Sequence, residues 1–406
     1  MKKNFILTII LAKLAILSPF VSANDLAEYL TYGRFGEGIT IFEKGIADDG
    51  ASNRTKFSLG VLQFFEALEI LAQDFYRLGL NNQLDQFQNI PFLRLPIPQN
   101  PNPEIATPEE ISRTLERFHN NITKVNQILQ NLDENEFNTS IDISSIPIDF
   151  NSDGIIGENE YFHEIYTSYN QNARGLFKEG ESLIVDFDLG DVYWLRGYSH
   201  LLLALSDFIL AHEWDEVYRH TAHIFFTRVS SDIALTLREH TGAPFAVYAD
   251  LIAGVHVMNL EVKSPERLVS AHNHLMQVIK CSRLSWSHIE NETDKNKEWI
   301  PNPQQRGVTG VQISPAMLDG WKEFLDEFEN ILTGVKLVPH WRFGEGLGIN
   351  IHRVFHEPKS FDLVLWIQGS AVIPYLEEGE VIHRDTWSEI TSVFEGNFIG
   401  FAVWVN

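Results

Sequence analysis

Residues 149–160 read DFNSDGIIGENE, and this run has the residue types and the spacing to hold a hard divalent cation. Calcium takes six to eight oxygen ligands at about 2.3–2.6 Å. Alternate residues of a tight loop can aim such oxygens at one point. Asp149, Asn151 and Asp153 offer side-chain oxygens from positions one, three and five of the run. Gly154 stands where the chain must bend sharply, Ile155 offers its backbone carbonyl, and Glu160 can close the site with both carboxylate oxygens. Gly157 has no side chain, which leaves its vertex to water, and Ile156 is the apolar residue expected to face the core behind the loop. The competing reading is an Asx- and Gly-rich surface turn that binds nothing.

The pattern D-x-[DN]-x-[DN]-G…E resembles the loop of EF-hand calcium-binding proteins, and the resemblance covers these twelve residues only. It implies Ca2+ as the bound ion and Asp149, Asn151, Asp153, Ile155 and Glu160 as its ligands. Downstream, residues 159–166 can continue as an exiting helix. Upstream, Pro147 lacks an amide hydrogen and biases Ile146 away from helical angles, so no ordinary entering helix is expected. No second loop of this kind is present in the sequence, which argues against a paired sensor.

Other chemistry is less sharply marked. His220 and His223 would share a face of a helix, with His212 and Glu213 just before them, but no HExxH-like spacing accompanies them. His272 and His274 are two apart, and on a helix they point to different faces. Arg196, His200 and Asp207 fall on one stripe of an otherwise apolar segment. His200 and Asp207 would be about 10 Å apart along a helix axis at 1.5 Å per residue, too far for a direct catalytic bond. That stripe is expected to bond neighbouring segments rather than to line a pocket. The sole cysteine, Cys281, lies in no nucleophile motif, and GxSxG, Walker and dinucleotide fingerprints are absent from the sequence.

The elements that must position these groups read as mostly α-helical. Gly38, Phe42 and Gly45 recur as Ala72, Tyr76 and Gly79 at an offset of 34, and Leu59-Gly60 lies between them. The small-aromatic-small spacing resembles the tetratricopeptide repeat, although Lys56 holds the usual tryptophan place and Gly50 the usual proline place. The resemblance implies a helical hairpin: small residues admit the neighbouring helix and the aromatic fills the groove. Thr107-Pro108-Glu109-Glu110 has a cap, a first-turn proline and a capping-box glutamate, and predicts a helix to about Leu132. Residues 191–212 carry Trp194, Leu195, Tyr198, Leu201, Leu202, Leu205, Phe208 and Ile209 around nearly the whole circumference, which predicts a helix buried on most sides. Ser264-Pro265-Glu266 opens another helix. Ser314-Pro315 opens one that ends at Gly334, with Leu318, Trp321, Leu325, Phe328 and Leu332 as its apolar stripe. Phe361–Ile367 and Phe398–Trp404 are apolar runs that periodicity alone assigns to neither strand nor buried helix.

The expected organisation is a leader at 1–23, a tetratricopeptide-like hairpin at 24–90, and a proline-rich connector at 91–106. A helical core at 107–300 would carry the calcium loop, followed by a helical or mixed region at 301–406 with possible short strands. Lys2 and Lys3, an apolar stretch from Phe5 to Leu17, and Val21-Ser22-Ala23 have the form of a secretory signal. An uncleaved membrane tether is the alternative, although the apolar run falls short of the ~20 residues of a span. Removing the leader's three lysines takes the formal charge from −24 to −27. So acidic a surface repels nucleic acid and anionic lipid. One cysteine supplies no disulfide framework, so an exported chain must rely on its core. The whole resembles exported bacterial proteins more than an enzyme family. The expectation is a periplasmic or secreted calcium-binding scaffold for a protein or peptide, with no membrane span in the mature chain and no catalytic residue assigned. The alternative is a cell-envelope hydrolase beside the polar stripe of 191–212. A deep pocket at Arg196 or His200 would favour the hydrolase, and an aromatic-lined groove on the first helices would favour the scaffold.

Overall fold

A computed structural model describes residues 23–48, 52–81, 95–133, 135, 137–169, 175, 177, 181–239, 245–293, 297–394 and 396–404. Nearly all of the proposed leader, residues 82–90 at the end of the proposed hairpin region and residues 91–94 at the start of the connector lie outside these. The chain forms helices α1 (Ala23–Thr31), α2 (Phe35–Asp48), α3 (Asn53–Arg77), α4 (Pro108–Leu129), α5 (Phe162–Tyr169), α6 (Leu189–Leu210), α7 (Asp215–Phe225) and α8 (Asp232–Glu239). It continues with α9 (Ala246–Val257), α10 (Pro265–Ile289), α11 (Pro315–Leu332), α12 (Ile351–His356), α13 (Leu363–Gln368), α14 (Arg384–Ser392) and α15 (Phe398–Trp404). Six short strands pair two by two, all antiparallel: β1 (Thr139–Asp142) with β2 (Ile184–Phe187), β3 (Asn259–Leu260) with β5 (Phe361–Asp362), and β4 (Leu347–Ile349) with β6 (Leu376–Glu378). The fold is mostly α, as expected.

Local signals explain most helix ends. The Thr107 hydroxyl accepts the Glu110 amide at 3.2 Å to start α4, with Pro108 in the first turn. Phe118, Ile122, Val125 and Leu129 of α4 form its buried stripe, and the helix stops three residues short of Leu132. Glu110 does not close a capping box, because its carboxylate is drawn to Arg77 and Arg113. Ser314 caps α11 by accepting the Met317 amide at 3.1 Å, and Gly334 follows with a left-handed φ of +73°. Ser264, by contrast, makes no side-chain cap for α10. Both undecided apolar runs are now assigned: residues 361–362 are a short strand leading into α13, and 398–404 are α15.

In the N-terminal part, α2 packs on α3. A Cβ at Gly38 would meet Leu62 at 2.8 Å, and one at Gly60 would meet Leu129 of α4 at 2.6 Å. The small residues therefore do let neighbouring helices approach, and Phe42 is buried beside them. However, Leu59, Gly60, Ala72 and Tyr76 share the single unbroken helix α3. The hairpin here is α2 with α3, not a turn within 53–77.

Helix α6 packs against α10 and α4 at the centre of the molecule. Its expected burial on nearly all sides is corrected at Leu205 and Phe208, which are 52% and 36% exposed. The start is capped reciprocally: Asp188 accepts the Gly190 amide at 2.8 Å, and Asp191 accepts the Asp188 amide at 3.0 Å. Burial holds the carboxyls of both above the ordinary range, and for Asp191 repulsion from Asp188 adds to the rise. The folded chain therefore keeps protons that the unfolded chain has released above about pH 4, so this site loses stability as pH rises. Asp191→Asn should accordingly gain on the unmodified protein as pH goes from 4.5 to 8, in denaturant midpoints. A pH-independent offset would contradict this.

Candidate metal centres

The loop 149–160 lies between β1 and β2, with α5 directly after it. Residues 143–145 form a single 3-10 turn and Pro147 is in an extended segment that bridges to Tyr161, so no entering helix exists. Ile148 N–H donates to the Glu160 carbonyl at 2.8 Å, and Phe162 N–H to that of Ile146 at 2.9 Å, which pins the two ends of the loop together. Within it, the Asp149 carboxylate accepts the Gly154 amide at 2.9 Å. Gly154 has φ +74° and Ser152 φ +60°, the left-handed turns that curl the chain inward. Asn151 and Asp153 accept the amides of Asp153 and Ile155 at 2.9 and 2.7 Å. Glu160 is 6% exposed and seated under the loop, accepting Phe150 N–H at 3.1 Å and Gly157 N–H at 2.8 Å.

Asp149 Oδ1 is buried and has no hydrogen-bond partner among the described residues. A buried carboxylate oxygen without a donor costs free energy, which a cation or another donor there would relieve. The donor set thus suits a hard cation in kind and in backbone path. Asp149, Asn151, Asp153, the Ile155 carbonyl and Glu160 would hold it. The carboxylates of Asp149, Asp153 and Glu160 are not gathered within 4.8 Å of one another, so Asn151 and Asp153 would have to swing off their turn amides. Ile156 is 37% exposed and does not face the core. Two residues of α3 grip the loop instead: Glu69 Oε1 accepts the Asp149 amide at 3.0 Å, and Gln73 Nε2 donates to the Asp149 carbonyl at 2.9 Å. Burial pushes the Glu69 carboxyl up to about 7; the Asp149 amide opposes the rise and the Asp149 charge adds to it.

Of the polar stripe of α6, His200 and Asp207 bond neighbouring segments as the spacing suggests, while the Arg196 guanidinium lies over the Tyr193 ring of the same helix, 5.5 Å from its centroid. Asp207, 1% exposed, lies 2.8 Å from Arg267 Nη1 of α10 and 3.1 Å from His119 Nε2 of α4. Burial works to raise its pKa, but His119, Ser270 and Arg267 outweigh that and hold it low. His274 of α10 lies 3.9 Å from Asp207 and bonds His200 at 2.7 Å, so it bridges the two α6 residues that are too distant to meet. Burial, then the charges of His274 and Arg196, push His200 down to about 3, so the imidazole is neutral. The aromatic-lined cavity beside α6 has a volume of about 70 Å³ and Asp191 as its only ionisable wall, well below the ~300 Å³ of a small-molecule site. Neither Arg196 nor His200 reaches it. The groove over α2, α3 and α4 is lined by Glu43, Ile46, Leu59, Gln63, Lys124, Gln127 and Ile128, with no aromatic.

Sequence spacing pointed to His220 and His223, which the structure does not bring together with a third ligand. His223 bonds Asp250 at 3.1 Å, and His220 lies 3.7 Å from Glu216. Two sets of three metal-capable donors within 4.8 Å exist among the described residues: His119, Asp207 and His274, and His272, His352 and His356. Spacing did show that His272 and His274 face opposite ways; each belongs to a different set. His352 and His356, at i and i+4, are the spacing in the sequence that marks the second set. Cys281 is buried, and burial pushes its thiol pKa up, away from a nucleophile's range. No helix among the described residues is long and apolar enough to cross a membrane. No protein family, curated protein or solved structure matches the chain.

Proposed function

We propose that this protein is an exported helical scaffold, braced by calcium in loop 149–160, that binds a protein or peptide. The observation that carries the calcium reading is the closed loop with one buried, donorless oxygen on Asp149 and the buried Glu160 beneath it. Because Glu69 and Gln73 hold the same loop, an ion there would brace α3 against the β1–β2 insertion. The binding reading is supported by α9, whose Tyr248, Ile252 and Val255 are exposed at i, i+4 and i+7. Helix α13 packs beside it with Val364 and Ile367 exposed, and Trp341 joins them by donating to the Ile367 carbonyl at 3.0 Å. Exposed apolar side chains on two helices packed side by side suit a partner surface.

Extracellular-type calcium sites bind at about 10⁻⁴–10⁻³ M. At ~1 mM calcium, the tighter constant adds about 1.4 kcal/mol of stability. Melting with calcium and with a chelator should differ accordingly in the unmodified protein and coincide in Asp149→Ala, with helical content unchanged at room temperature. Equal melting temperatures in the unmodified protein would overturn the calcium reading. Ile252→Glu should abolish partner capture while leaving the calcium shift intact; capture unaffected by that change would overturn the assignment of the face.

A further inference from the structure

The second histidine set lies far from the calcium loop in sequence and rests on different observations. His352 and His356 stand one turn apart on α12, and His272 comes from α10. His272 is 6% exposed, and its Nε2–H donates to the carbonyl of Leu332, the last residue of α11, at 2.9 Å. That bond fixes the ring and leaves Nδ1 with its lone pair, the orientation that outer-shell carbonyls give to metal-binding histidines. His356 Nε2 is 3.4 Å from His272 Nδ1. Zinc–nitrogen bonds of about 2.0–2.1 Å place two ligands of a tetrahedron about 3.3–3.4 Å apart, so this pair already has the separation of two ligands on one ion. The His352 and His356 rings are stacked, with centroids 4.1 Å apart and planes at 12°. One ring nitrogen from each of His272, His352 and His356 lies within 4.8 Å of the other two.

The surroundings favour a cation. Arg353, the nearest fixed positive charge on α12, is held by Glu357 at 2.7 Å and Glu377 at 3.1 Å. In the other set Arg267 sits against Asp207 itself at 2.8 Å and already neutralises the carboxylate an ion would need. Three imidazoles without a carboxylate select borderline metals such as zinc over calcium or magnesium.

We propose that His272, His352 and His356 bind a zinc-class transition-metal ion that staples α12 and the region after α11 to α10, with a fourth position open to solvent beside the exposed His356. Its role is to clamp the small cluster of Ile349, Val372 and Tyr375 onto the helical body.

The test uses the full chain after chelation and dialysis, titrated with ZnCl2 by calorimetry and with CoCl2 by visible absorption. We expect zinc binding at about 1 µM or tighter, tetrahedral cobalt bands, and a zinc-dependent rise in melting temperature. His352→Ala and His356→Ala should each weaken binding at least ~100-fold, since even outer-shell changes cost 10–100-fold, and abolish the cobalt bands. Because neither side chain is buried, their circular dichroism should match the unmodified protein, so the test does not depend on His272 variants. His220→Ala should change nothing. Absence of zinc binding, or binding that survives His352→Ala and His356→Ala, would overturn the assignment; loss of the calcium shift has no bearing on it.

Discussion

Asp207→Ala is expected to lower stability by about 3 kcal/mol, the lower end of the range for removing one partner of a buried ion pair. The lower end applies because Arg267 keeps 27% exposure while Asp207 has almost none. The loss goes beyond one contact, because Asp207 joins α4, α6 and α10 through His119 and Arg267. With the carboxylate gone, the partly buried Arg267 guanidinium keeps only Glu116, at 3.7 Å and more exposed, as a counter-charge beside the two imidazoles. Asp207→Asn should lose less, since it keeps an acceptor for Arg267. Denaturant unfolding of the two variants at pH 7 checks this; a change below about 1 kcal/mol for alanine, the scale of a surface pair, would show the network to be dispensable.

Glu160→Ala should be nearly as costly even without calcium. It strips the acceptor from the amides of Phe150 and Gly157, and an unsatisfied buried amide costs about 1–3 kcal/mol. The Phe150 amide is buried and that of Gly157 partly so, which places the sum at about 2–4 kcal/mol on the same scale. Glu160→Gln retains one carbonyl oxygen and should recover about half. Both should lack the calcium-dependent rise in melting temperature. A Glu160→Ala protein as stable as the parent in chelator would mean that these two bonds do not form, while a calcium shift retained in both variants would remove Glu160 from the ligand set.

The closed turn at 149–160 was legible because the side chains that bond within it sit in twelve consecutive residues, where turn geometry decides their direction. Helix starts at Thr107 and Ser314 were legible for the same reason, since a cap reaches only three residues ahead. Glu110 failed as a capping-box partner because Arg77, on another helix, offered its carboxylate a stronger bond. Leu59, Gly60, Ala72 and Tyr76 matched a repeat by spacing, yet nothing local breaks α3 between them.

Residue order alone settled that the chain is mostly helical, that Pro147 bars an entering helix, that His200 and Asp207 of α6 bond neighbouring segments, and that His272 and His274 lie on different faces. These follow from backbone sterics and the 3.6-residue period. Only the tertiary packing decided what those faces meet: His274 turns to Asp207 and His200, and His272 to His352 and His356 some eighty residues on. It also left Leu205, Phe208 and the outer stripe of α9 uncovered. Periodicity states which side chains share a face; only the docking of distant segments brings a second face within bonding distance of the first.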